Sequence, residues 1–258
     1  MSSMPRLFVN SDLVAGAPFA LDEDQSKYLT RVMRLGSGDL VRVFNGRDGE
    51  WRAKISKVEG RRADLTPIDQ LRSQTRPGGA ALTLLFAPVK KSETDFIVEK
   101  ATELGVARIQ PVITERTQTR TVRLDRFQKI ALEAAEQTER LDLPDVSDAV
   151  SLDAALADLP AGTAVIFCDE AGDEADAPWG GQAGRARPMA DVLPEIKDRP
   201  AAILIGPEGG FSGAERNFLR GRAETYPVSL GPRILRAETA AVSAMTLWQA
   251  LCGDWKSA

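Results

Sequence analysis

Two glycine-proline segments, Leu204-Ile-Gly-Pro-Glu-Gly-Gly210 and Leu230-Gly-Pro-Arg-Ile-Leu-Arg-Ala-Glu-Thr-Ala240, each close a short apolar run and open a helical pattern. Such joints belong to open α/β sheets, where small molecules bind at the strand ends. The surrounding chain repeats the alternation. Apolar strands are expected at 80–87, 109–113, 164–168, 201–205 and 226–230. Helices are expected after Ser92, from Leu124, after Ser212 and over the last segment. There Ala241, Ala244, Leu247, Trp248 and Leu251 form one stripe, as Phe127, Ile130, Ala131, Ala134 and Ala135 do earlier. Ser92 with Asp95 and Ser212 with Glu215 have capping-box spacing, and Gly105 can close the helix that Ser92 opens. Strands separated by helices imply a largely parallel sheet covered on both faces. Residues 169–187, rich in Gly, Asp and Glu, read as a mobile surface loop.

The N-terminal part reads as β. Leu40–Phe44 runs into Asn45-Gly46 and Asp48-Gly49, both strong turn signals. Trp51, Ala53 and Ile55 then alternate with Arg52, Lys54 and Ser56, giving one buried and one basic face. A further short strand spans Arg61–Pro67, and a small barrel or sandwich would bury such strands. The polar, Gly/Pro-containing stretch 70–79 reads as a linker, which divides the chain into 1–74 and 78–258.

The chain has no histidine, which removes the commonest general base, Ser-His-Asp and Cys-His mechanisms, and every His-containing metal site. Its two cysteines, Cys168 and Cys252, lack zinc-thiolate or disulfide-framework spacing, so no metal is expected and a cytoplasmic setting fits. No window reaches about 18 uncharged apolar residues, so no membrane span is expected. Residues 1–76 carry 13 Lys plus Arg against 10 Asp plus Glu, and the remainder 20 against 27. A mildly basic module on an acidic body permits a polyanionic partner without requiring one.

The two Gly-Pro loops can bring backbone close to a ligand, and the helix start at Ser212 leaves free N–H groups nearby. Neither loop is a dinucleotide fingerprint or a Walker A loop. Arg233 and Arg236 lie three apart with Glu238 following. Either arginine could hold a phosphate or stabilise an oxyanion, or could tie the loop to the last helix through Glu238. Arg116, Arg120, Arg123, Arg126 and Lys129 form a second basic stretch, which reads equally as a nucleic-acid contact or as a solvated face.

Both loops resemble the signature segments of the RsmE family, SPOUT-class methyltransferases that modify N3 of one uridine in bacterial 16S ribosomal RNA. Glu99–Gly105, Thr114-Glu-Arg116, Glu133–Gln137 followed by Arg140, and Tyr28–Leu35 are similar to further family segments. The resemblance spans nearly the whole chain. It implies a PUA-like RNA-binding β-barrel over 1–74, and over 78–258 a SPOUT methyltransferase domain with a parallel sheet and a deep trefoil knot. It also implies a homodimer, S-adenosylmethionine as cofactor, and 16S ribosomal RNA, within the small ribosomal subunit, as partner. Carried onto this chain, the cofactor wall is Leu204, Gly206, Gly209, Leu230, Gly231, Ile234 and Leu235. Arg236 is the catalytic candidate, and Tyr28, Arg31, Arg34, Arg116, Arg140 and Arg233 are substrate contacts. Two departures stand out: Tyr28 and Thr114 occupy positions where the family usually has histidine and serine. A proton transfer to that histidine is therefore not essential to the chemistry. The alternatives are a SPOUT-like enzyme acting on another RNA position, or a non-catalytic RNA-binding ribosome-assembly factor.

Overall fold

The computed structural model describes residues 4–74, 81–169 and 186–257, so most of the 169–187 loop and part of the 70–79 linker lie outside the described residues. The chain divides into two compact units. One comprises 1–76 with 135–143, the other 77–134 with 144–258.

The first unit is a five-stranded sheet of β1 (Arg6–Phe8), β2 (Phe19–Ala20), β3 (Leu40–Phe44), β4 (Glu50–Glu59) and β5 (Arg62–Arg72). The order is β1-β3-β4-β5-β2, antiparallel except for β1 beside β3. No ladder joins β1 to β2 among the described residues, so the small β domain is open along that edge. The period-two pattern holds: Ala53 and Ile55 are fully buried with Val41, Val43 and Leu65. A short helix, α1 (Glu23–Lys27), continues into one π-type turn, Tyr28–Val32.

Segment 135–143 joins this unit through a buried arginine. The Arg6 guanidinium donates to Glu50 at 2.5 Å and to the carbonyls of Ala135 and Arg140, each at 2.5 Å, and lies over the Phe44 ring. Its charge thus satisfies carbonyls at a helix end, where cations are favoured.

The second unit carries β6 (Leu82–Phe86), β7 (Arg108–Ile113), β8 (Asp145–Val146), β9 (Val150–Ser151), β10 (Ala164–Cys168), β11 (Ala201–Ile205) and β12 (Thr225–Val228). Every pairing is parallel, in the order β12-β10-β11-β6-β7-β8, with β9 also on β7. The helices are α2 (Lys91–Glu103), α3 (Leu124–Gln137), α4 (Leu152–Ala157), α5 (Met189–Ile196), α6 (Gly213–Arg220) and α7 (Ala237–Leu251). Side chains alternate across β11. Ile203 and Ile205 join the core under α2, α5 and α7, whereas Ala202 and Leu204 pack with Phe167 and Phe211 on the other face. Within the expected stripe of α7, Ala241, Ala244 and Trp248 are fully buried while Leu247 and Leu251 are half-buried. Among the described residues, no helix is long and apolar enough to cross a membrane.

Candidate active site

Strands β12, β10 and β11 are neighbours, so their carboxyl ends open side by side. The chain leaves them as Val228–Leu230, Cys168–Asp169 and Ile205–Gly210 and encloses a cavity of about 740 Å³. This is where open parallel sheets place ligands, because the loops on that edge are free to diverge. Ile205, Val228, Leu230 and Leu235 supply apolar wall, and the Gly-Pro loops supply backbone. A cavity of this size, with apolar wall, exposed backbone and charged side chains together, suits a nucleoside-sized ligand.

Two glycines are dictated by this geometry. A Cβ on Gly206 would lie 2.6 Å from the Phe211 ring, which is buried and packed edge-on against Phe167 at 5.0 Å. Gly231 has φ +117°, a conformation that side-chain-bearing residues rarely adopt.

Arg236 stands at the N-cap of α7 with extended backbone and no side-chain capping bond. It and Arg233 both line the cavity and are exposed, and neither guanidinium makes a hydrogen bond or ion pair among the described residues. The expected alternative, an arginine tied to Glu238, is not formed. Three glutamates, Glu93, Glu208 and Glu238, share the wall with them. The Ser92 hydroxyl, donating to Glu93 at 2.8 Å, holds that carboxyl below its ordinary range, with smaller contributions from the charges of Lys90 and Arg236.

Of the expected cofactor wall, Gly206, Gly209, Leu230, Gly231, Ile234 and Leu235 line the cavity. Leu204 does not: its side chain is fully buried on the far face of β11, and its neighbour Ile205 reaches the cavity instead. The period of two in a strand makes that substitution unavoidable. Arg116 lines the cavity and donates to the Gly209 carbonyl at 3.1 Å. The rest of its basic stretch is partly neutralised, since Arg123 pairs with Asp125 and Arg126 with Asp95. Tyr28, Arg31 and Arg34 are exposed around the π-type turn of the first unit, Arg34 with φ +57°. Arg140, also in that unit, directs Nε to Asp142 at 2.6 Å.

Sequence reasoning missed a buried pair on the cavity wall. Asp169, at the end of β10, accepts from Arg216 at 2.9 Å and 3.1 Å and from Arg220 at 3.0 Å. The i, i+4 spacing of two arginines on α6 was the available signal; their partner, 47 residues upstream of Arg216, was not.

A family model of an RNA methyltransferase domain matches residues 77–249, and one of an RNA methyltransferase PUA domain matches 21–68. Ribosomal RNA small subunit methyltransferase E of Rickettsia conorii is 31% identical over 93% of this chain and 93% of its own. The Synechocystis protein of that name is 33% identical over 95% of this chain and 77% of its own. The crystal structure of the Neisseria gonorrhoeae ribosomal RNA small subunit methyltransferase E, bound to S-adenosyl methionine, superposes with a TM-score of 0.78 at 28% identity. It covers 98% of this chain and 99% of that one. A parallel sheet with a glycine-lined cavity at its carboxyl edge, carried with a small β domain along three quarters or more of each relative, places the chain in the ribosomal RNA small subunit methyltransferase E family.

Proposed function

We propose that this protein transfers a methyl group from S-adenosylmethionine to N3 of one uridine in bacterial 16S ribosomal RNA. The observation that carries the reading is a free guanidinium, Arg236, on the wall of a nucleoside-sized cavity built from the two Gly-Pro loops. The N. gonorrhoeae relative holds S-adenosyl methionine in the same fold. The residues fit that cofactor: Gly206, Gly209 and Gly231 present backbone, and Leu230, Ile234 and Leu235 offer apolar contact. When bound, it supplies an electrophilic methyl group on a sulfonium.

Neutral uracil carries a proton on N3, which must leave as the N3 lone pair becomes the nucleophile. Negative charge then spreads onto O2 and O4. Arg236 stabilises that charge without accepting the proton, because a guanidinium is already protonated. Glu93, Glu208 and Glu238, or a water beside them, are the cavity groups able to take the proton. Arg116 and Arg233 hold the RNA at the cavity mouth. Tyr28, Arg31 and Arg34 serve the RNA from the first unit, where Tyr28 can stack on a base without a histidine's titration. Arg140, tied to Asp142, acts there by ordering segment 135–143.

In this reading residues 1–74, joined by 135–143, form the PUA-like RNA-binding module, and the rest of 78–258 forms the SPOUT methyltransferase domain. The insertion of β11 between β10 and β6, with α7 packed on α2, α5 and β11, supports a trefoil-knotted path. Exposed Phe96 on α2, and Trp255 beyond α7, support a homodimer, and the enzyme works in the cytoplasm on small ribosomal subunits. Calorimetry with S-adenosylmethionine, followed by labelled methyl incorporation into unmethylated small subunits, tests the reading. Saturable one-site binding and stoichiometric labelling of 16S RNA are expected. Absence of cofactor binding would leave only an RNA-binding factor.

A further inference from the structure

Loop 114–117 is closed on itself. The Thr114 amide donates to the Thr117 hydroxyl at 2.9 Å, and the two hydroxyls meet at 2.8 Å. Both threonines are buried, so the turn presents Glu115 and Arg116 outward. The Glu115 amide donates to Oε1 of Glu215 at 2.8 Å, a residue 100 positions away on α6. The other oxygen of that carboxylate, Oε2, accepts from the Ser212 amide at 2.9 Å, while the Ser212 hydroxyl accepts from the Glu215 amide at 3.3 Å. One carboxylate therefore completes the α6 capping box and captures a second loop. On the far side of the same turn Arg116 donates to the Gly209 carbonyl at 3.1 Å, and its Cβ and Cδ lie 3.6 and 3.8 Å from where a Gly209 Cβ would stand.

From this geometry we infer that Glu215 is a positioning residue: it staples the Arg116 turn to the start of α6 and so fixes Arg116 against the cavity rim. A capping glutamate ordinarily serves its own helix with one oxygen and leaves the other to water. Here the second oxygen is spent on a backbone amide of the turn that carries a proposed RNA contact. The two ties bracket Arg116, one through the preceding amide and one through its own guanidinium. The inference rests on the proposed function for the role of Arg116, but the staple itself is a feature of the fold.

A double-mutant cycle tests it, because residues that act through one another do not add. The full-length wild type, Glu215→Ala, Arg116→Ala and the double variant are compared for kcat/KM on small ribosomal subunits at saturating cofactor. Ser212→Ala serves as the control for helix capping alone. Each of the two single variants is expected to lose about tenfold in kcat/KM, carried by KM, and the double variant no more than about twofold beyond the worse single. Ser212→Ala should lower the melting temperature as Glu215→Ala does, yet stay within about threefold of wild-type kcat/KM. Multiplying losses in the double variant, unchanged kcat/KM in Glu215→Ala, or an equal loss in Ser212→Ala would overturn the inference. Should the wild type transfer no methyl group, the proposed function fails and the staple is judged separately by amide exchange. Glu215→Ala must then speed exchange of the Glu115 amide while Ser212→Ala leaves it unchanged, and equal rates would overturn it.

Discussion

At Gly206 the chain runs so close to the Phe211 ring that a methyl group has no room, and the ring is itself locked against Phe167. Gly206→Ala should displace Phe211, costing about 1–3 kcal/mol of stability as overpacking does. Cofactor affinity should fall at least about tenfold, because the displaced ring lies in the cavity wall. Calorimetry and thermal melting check both, and unchanged affinity in a folded variant would remove Gly206 from the site. Gly209 behaves differently: its missing Cβ points at Arg116 with ordinary contact distance, so a small side chain fits and only a branched one crowds that arginine. Arg236→Ala should leave cofactor affinity within a few-fold while the single-turnover methylation rate falls by roughly 10²-fold, as when an oxyanion donor is lost. A near-wild-type rate would reduce Arg236 to scaffold. Residue types at the Gly-Pro loops were legible in the sequence because glycine and charge advertise themselves. Leu204 was misplaced because a loop motif does not say which face of its strand a side chain takes. Glu215 was read only as a cap, because its second partner is 100 residues distant.

Two capping boxes with the same spacing met different fates. Ser212 and Glu215 form theirs, and α6 starts where the spacing places it. Ser92 and Asp95 do not: α2 begins at Lys91, Ser92 donates to Glu93, and Asp95 pairs with Arg126 of α3. A tertiary ion pair outcompeted a local cap, which spacing alone cannot foresee. Strand positions were better predicted, since Ala164–Cys168 and Ala201–Ile205 are continuous apolar runs buried along their whole length. The β3–β4 connection gives a pH test. Asp48 accepts from the Leu13 amide at 2.9 Å and from Asn45 at 2.7 Å, the first being the larger reason its carboxyl is held below its ordinary range. A depressed folded value means the unfolded chain binds this proton more readily. Asp48 therefore stabilises the fold fully above the ordinary carboxylate range, and that share is lost as pH falls through the lowered value. Asp48→Asn should cost on the order of 1 kcal/mol near neutrality and progressively less in acid. Denaturant titrations across that range would refute this by showing a constant difference.

Across the whole molecule, alternating strands and helices made the parallel sheet legible, but the membership of 135–143 in the first unit was not. That assignment depends on Arg6 reaching carbonyls 129 and 134 positions away, a contact with no local signature. The knotted path we propose would be equally invisible to periodicity, which reports elements and not the order in which they thread. Sedimentation at micromolar concentration should show a dimer; a single species near 27.9 kDa would reject it. Neutralising Arg31 and Arg34 should weaken RNA binding and flatten its salt dependence while cofactor affinity stays level, as lost phosphate contacts require. The most direct test of the account is the position of the transferred methyl group. Unmethylated small subunits are incubated with the full chain and S-adenosylmethionine, and the 16S RNA is digested and mapped by mass spectrometry. The account predicts one methyl group on N3 of a single uridine, whereas a methyl group on a ribose 2′-hydroxyl or on another base would contradict it.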